Sequence, residues 1–219
     1  MPVLLAGGIF VAAVAIVAAP LGLGTLIDSY RSSVGALFAP GTRDDPATIG
    51  EGSATMLWVQ ALLYRVFSFA PNAVPTVSMA VTAAMACVLG VVLLRCREDG
   101  RVLLVIAAFV LLASYHRVYD SVLLLPGVAW LIDRHWRRSE RGYLLLTFLL
   151  LPFLVPGPAI LQTLLPDTLR HRWAVYAVVV PHQTWCLLAI LVVASLGVVA
   201  EVLAPVGRAR RQALQALAG

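Results

Sequence analysis

The chain reads as an all-α polytopic membrane protein, with about six transmembrane helices and one interfacial or re-entrant helix. Three observations predict this. Hydrophobic residues fill 61% of the 219 positions and charged residues only 12%, about half the charged share of a water-soluble domain. Mean hydropathy is +0.91. The apolar residues gather into stretches of the length needed to reach across a hydrocarbon core of about 30 Å, with arginines clustered between them. A water-soluble chain of this size could not hide so much apolar surface. The net charge of +5 comes from arginine alone, since lysine is absent. In such a chain that excess reports orientation and anionic lipid, and no nucleic acid partner is expected. Cys87, Cys96 and Cys186 lie in or beside apolar runs. Their spacing matches no metal motif, so they read as packing residues. No metal site and no cofactor is expected.

Taken in order, residues 3–26 are apolar and long enough to cross. They lack a basic leader, so the segment reads as a retained helix and not a signal peptide. Residues 28–55 are polar and turn-rich, with Pro40-Gly41, Asp44-Asp45-Pro46 and Gly50-Glu51-Gly52, and read as an outer loop. Residues 54–69 are apolar but short and carry Gln60 and Arg65. They fit an interfacial or re-entrant helix, with Trp58, Tyr64 and Phe67 suited to the headgroup layer. Pro71 and Pro75 punctuate the chain before a crossing at 74–94. Two short apolar arms, 102–113 and 121–132, flank a polar heptapeptide. Residues 143–165 cross again, with Pro152, Pro156 and Pro158 inside. Those prolines predict a kinked or broken helix whose freed carbonyls are satisfied by neighbours. The last crossing lies within 173–203, interrupted at Pro181-His182-Gln183, and 205–219 read as a tail. There is no internal repeat, low-complexity tract or soluble domain, so 1–219 form one membrane domain.

Arginine orients the spans. Arg95, Arg97 and Arg101 fill one loop. Arg134, Arg137, Arg138 and Arg141 fill another, and Arg208, Arg210 and Arg211 lie in the tail. All three clusters are expected in the cytoplasm, with both termini. Arg170 and Arg172 are local exceptions. The 28–55 loop, the 166–172 loop and the heptapeptide then face outward from a plasma membrane.

The heptapeptide is Ser114-Tyr115-His116-Arg117-Val118-Tyr119-Asp120. Ionisable groups at or near membrane depth are costly, and they usually mark a wet cavity or a functional site. On a helix, His116, Tyr119, Asp120 and Leu123 would share one face. Asp120 would orient the His116 imidazole, and Arg117 would reach an anion such as a phosphate. Tyr115 and Tyr119 offer rings to a sugar. The plainer reading is a salt-bridged hairpin tip in the headgroup layer, with Arg117 pairing Asp120. His171 and Arg172 add a second outward basic site, of the kind that is more often simple interface decoration. His182 beside Pro181 reads as a packing residue satisfying a broken backbone, or as a further functional group. Asp28, Asp44, Asp45 and Glu51 are the outward carboxylates, read as solvated loop.

The heptapeptide, followed by a leucine-rich run, resembles a segment in the C-terminal half of the family 87 glycosyltransferases, polytopic enzymes of the GT-C type. The order of spans and loops is similar as well. The resemblance implies transfer of a sugar, such as mannose, from a polyprenyl-phosphate donor on the outer face of a bacterial plasma membrane. It implies that His116, Arg117, Tyr119 and Asp120 bind the donor phosphate and sugar. Such chemistry needs a carboxylate base for the acceptor hydroxyl and cations for the departing lipid phosphate. The family's base is an Asp in a first outer loop. Ile27-Asp28-Ser29-Tyr30 does not match that pattern, so no catalytic residue is assigned. A truncated or split gene product, or a shortened relative, is expected, and an upstream N-terminal half protein is the partner that would then supply the base. Two other readings stand beside this one: a non-catalytic subunit that binds the lipid carrier, and a small transporter component. A transporter should show matched repeats, and none is evident.

Overall fold

The computed structural model describes residues 15, 22–37, 39, 41–42, 45, 55–138, 141–154, 157–170 and 172–218. Among them the chain is helical with no β-strand, as an all-α fold requires. Of the expected first crossing, all of 3–21 but Ala15 lies outside the described residues.

Helix α1 (Leu23–Leu37) runs ten residues into the stretch expected to be loop. Leu26, Ile27, Tyr30, Val34 and Leu37 recur at three- and four-residue intervals, enough to hold a helix through interspersed serines. Beyond it the turn chemistry takes over. The Thr42 hydroxyl donates to the Leu37 and Ala39 carbonyls, and the Gly41 N–H donates to the Asp45 carboxylate at 2.9 Å.

Helix α2 (Val59–Val66) has eight residues, about 12 Å of rise and less than half a hydrocarbon core. It buries Val59, Ala61, Leu62 and Arg65. After a 3-10 turn at Pro71–Ala73, helix α3 (Val74–Arg95) rises without a break. Pro71 and Pro75 sit in first turns, where their missing N–H costs nothing. In its most apolar window only 17% of α3 is buried, and Leu94 is 84% exposed.

The two arms of the central hairpin are α4 (Asp99–Ala113) and α5 (Leu125–Arg138), joined through a 3-10 turn at Val118–Leu124. Helix α4 is the hub of the fold, packed against α3, α5 and the last helix. Its Leu104, Val105, Ala108, Leu111 and Leu112 are fully buried. The arms approach through two reciprocal glycines. Gly100 of α4 lies under the Trp130 ring, and Gly127 of α5 lies under Leu104. Small residues at such crossings let the two backbones close together. At the arginine-rich end Glu98 binds Arg101 at 3.0 Å and also Arg134, and Arg101 sits 5.9 Å from the Trp130 ring centroid.

The proline-rich stretch is broken, as its composition predicts. Helix α6 (Arg141–Leu150) passes into a 3-10 turn at Leu151–Phe153, and α7 (Gly157–Leu164) follows. The Pro152 carbonyl is recovered by the Gln183 side-chain N–H at 2.7 Å. After the short α8 (Asp167–Arg170), a π-helical turn at Val175–Val179 precedes α9 (His182–Ala218). The interruption expected at Pro181 is thus a helix start. Helix α9 continues to Ala218, so the backbone of 205–218 extends the helix. Alanine, leucine, glutamine and arginine dominate there, and all hold helix well.

Candidate functional site

Helix α4 ends at Ser114, whose backbone turns extended and whose hydroxyl donates to the Val110 carbonyl at 3.1 Å. From there the heptapeptide leaves helical geometry. It pairs antiparallel with a segment far away in sequence. Leu57 N–H donates to the His116 carbonyl at 2.9 Å, and Val118 N–H donates to the Thr55 carbonyl at 3.1 Å. The Thr184 hydroxyl on α9 reaches the Met56 carbonyl at 3.4 Å. Tyr115 meets Trp58 edge to face at 6.5 Å.

Arg117 is the N-cap of the 3-10 turn. Its N–H donates to Asp120 Oδ2 at 3.0 Å, and the same oxygen lies 3.1 Å from His116 Nδ1. A carboxylate three residues on satisfying an N-cap donor is ordinary capping chemistry. Here it also aims an imidazole. The Arg117 side chain turns to Tyr115, donating from Nε to the hydroxyl at 2.8 Å. His116 and Asp120 are both partly open to solvent.

The expected contact between His116 and Asp120 is present, but not on a helical face. Pairing with 55–57 keeps His116 and Arg117 extended, so their four-residue spacing closes across a capped turn. Tyr119 separates from the pair. It is 73% exposed and stands at the edge of a cavity of about 400 Å³ lined by Val122, Leu125, Leu131, Leu150 and Phe153. One polar turn therefore adjoins one apolar groove, with Tyr119 and Val122 continuous between them.

Other expected residues fall elsewhere. His182 Nδ1 lies 2.9 Å from the Val179 carbonyl, satisfying backbone freed at the π turn. Arg172 is exposed, and Asp28 is exposed on α1. Asp45 is buried in the turn after α1. His171, Asp44 and Glu51 lie outside the described residues. Among the described residues no cluster of His, Cys, Asp or Glu has metal-binding geometry.

Sequence reasoning missed two features. One is the 55–57 segment that pins the turn. The other is Arg65, fully buried with its guanidinium 5.5 Å from the Tyr176 ring centroid. Burial pushes its pKa below the ordinary guanidinium value, and Tyr176 works the other way. Its spacing from Val59 and Leu62, two steps of three, places it on the apolar face and was the available signal.

Asp120 has two jobs, and they separate by mutation. Asp120→Ala should cost about 0.5–2 kcal/mol of stability through the lost cap. Asp120→Asn keeps an acceptor oxygen and should cost much less. Added to His116→Ala, Asp120→Asn should lower stability little further. Thermal unfolding is the measurement, and a large extra effect of Asp120→Asn on His116→Ala would show that the carboxylate does not act through the imidazole.

No family model matches the chain, and no curated protein or solved structure matches it.

Proposed function

We propose that this chain is a polytopic plasma-membrane protein that handles a polyprenyl-phosphate sugar, as a glycosyltransferase or the C-terminal part of one. One observation carries the reading. A turn bearing His116, Arg117 and Asp120 adjoins an apolar groove of about 400 Å³. That pairing of a guanidinium-bearing turn with an apolar groove fits a ligand with a phosphate head and an isoprenoid chain. Phosphate beside a low-dielectric medium needs charge-assisted donors, and a guanidinium next to an imidazole supplies them.

The membrane assignment draws on α3 and on 182–200 of α9, which are long and apolar enough to cross. The lipid-like exposure of α3 supports it further, as do Phe69, Leu154 and Leu164. The hairpin arms are about 20 Å each by helical rise, short of a hydrocarbon core of about 30 Å, so on this reading the turn lies at membrane depth, toward the outer side.

A second reading, carrier binding without catalysis, is favoured by the engagement of Asp120. The carboxylate of the turn already serves His116 and the Arg117 N–H, so an acceptor-activating base must come from elsewhere, such as an N-terminal half on a partner chain.

The direct test is retention of undecaprenyl phosphate by the full chain in nanodiscs, read by native mass spectrometry. Undecaprenol should be retained less than its phosphate. Equal retention of both, or of neither, rejects the phosphate site. Orientation is tested on a cysteine-free background. A membrane-impermeant thiol reagent on intact cells should label Ser114→Cys and spare Asp99→Cys, and the reverse pattern rejects the outward turn.

A further inference from the structure

The two helices long and apolar enough to cross meet a common boundary at the arginine-rich end. Helix α3 closes at Arg95, just before α4 begins. The apolar stretch of α9 runs to Ala200, and Arg101 abuts it there: a Cβ on Gly197 would lie 3.2 Å from Arg101 Nη1. At this level a cleft of about 440 Å³ opens between the start of α4 and the end of α5. Its wall includes Arg97, Glu98, Asp99, Trp130, Asp133 and Arg134. A tryptophan suits the edge of a membrane.

The charges of this cleft fall into two sets. Glu98 engages Arg101 and Arg134, and all three side chains are mostly buried. That set ties the hairpin arms together. Arg97, Asp99 and Asp133 are exposed and give the open side one guanidinium and two carboxylates. The flank toward the middle of the hairpin is apolar. Leu103 lies four residues beyond Asp99 on α4, and Leu125 lies eight before Asp133 on α5; both are exposed. Steps of four keep each pair on one face of its helix. Each arm therefore presents a charge at the boundary and an exposed leucine deeper in, the profile of a surface that meets an amphiphile.

We infer that this cleft binds the headgroup of a zwitterionic phospholipid with a primary ammonium, phosphatidylethanolamine. Arg97 takes the phosphate, and Asp99 and Asp133 take the ammonium. A guanidinium matches phosphate geometry, and an ammonium donates charge-assisted hydrogen bonds to carboxylates. A choline head has no N–H to donate. An aromatic ring could hold a quaternary ammonium instead, but the Trp130 ring already carries Arg101, 5.9 Å from its centroid. A phosphatidylglycerol head brings net negative charge against two carboxylates and is disfavoured. The inference rests on the membrane reading and not on sugar transfer, and it holds whichever side of the membrane this end faces.

The test is native mass spectrometry of the full chain in detergent with equimolar phosphatidylethanolamine, phosphatidylcholine and phosphatidylglycerol of identical acyl chains. Phosphatidylethanolamine should be retained above the other two. Arg97→Gln and Asp99→Asn should each weaken its binding about tenfold, the lower end for one charge-assisted hydrogen bond. Asp99→Lys should reverse the ranking and put phosphatidylglycerol first, a gain that misfolding cannot mimic. Arg172→Gln, at an exposed arginine outside the cleft, should leave the ranking as it is. Circular dichroism melts confirm that each variant is folded. Equal retention of the three lipids by the wild type overturns the site, and so does a preference that survives in the Arg97→Gln, Asp99→Asn double variant. Carbonate washing of membranes separates the two levels of failure. A chain that stays in the washed membranes yet shows no headgroup preference refutes the cleft alone; a chain released by carbonate refutes the membrane reading and the cleft with it.

Discussion

Arg117→Ala should weaken binding of undecaprenyl phosphate about tenfold to a hundredfold, while the protein still inserts and folds. The magnitude follows from one charge-assisted hydrogen bond, about 1.5–3 kcal/mol. The direction follows from geometry. Tyr115 holds Nε of Arg117 at 2.8 Å, which fixes the plane of the guanidinium before a ligand arrives, and a fixed fork loses less entropy on binding. Arg117→Lys keeps the charge without the fork and should fall between wild type and Arg117→Ala. Tyr115→Phe removes the tether and should weaken binding less than Arg117→Ala does. If Arg117→Ala and His116→Ala both retain the carrier like wild type, the turn is a headgroup-layer cap, and any transfer chemistry lies elsewhere.

The second large effect concerns the hairpin that carries the turn. A Cβ at Gly127 would lie 2.6 Å from Leu104 Cδ1, 2.9 Å from its Cβ and 3.2 Å from its Cα. Rotating Leu104 can move the first atom but not the last, so α4 and α5 must separate. Gly127→Ala should cost about 1–3 kcal/mol, the usual range for overpacking, and Gly127→Val more. Gly100→Ala meets the Trp130 ring, which also carries the Arg101 contact, so it should loosen the Glu98 ion cluster too. Gly90→Ala on α3 meets nothing within 4 Å. Helix propensity then favours alanine by roughly 0.5–1 kcal/mol. Melting temperatures in detergent should rank Gly90→Ala at or above wild type and Gly127→Ala well below. Equal melting of wild type and Gly127→Ala would mean that the arms are not in contact as described.

What could be read from the sequence follows from the range of the forces involved. Helix α3 was legible to within a residue because an apolar run flanked by Pro75 and Arg95 carries its own boundaries. The break after Leu150 and the restart at His182 were legible because proline removes a donor wherever it stands. The His116–Asp120 contact was legible from spacing, yet its geometry was not. That geometry is set by Thr55–Leu57, and backbone pairing across such a separation leaves no periodic signature in side chains. Helix α1 was hidden because serines and turn formers nearby masked a weak apolar repeat. Arg65 was hidden because a lone cation in a short apolar segment normally lies at a surface.

Thr184 grips Met56 across 128 positions of sequence, and this imposes an order on biogenesis. At translation speeds of about 5–20 residues per second, the heptapeptide's backbone partner emerges on the order of ten seconds before its anchor. Through that interval the nascent hairpin can carry His116, Arg117 and Asp120 while the strand that shapes them is held from one side only. Docking of α9 is then the step that completes the anchoring of the turn. A chain stalled or cut before Thr184 would carry every residue of the motif without that anchor.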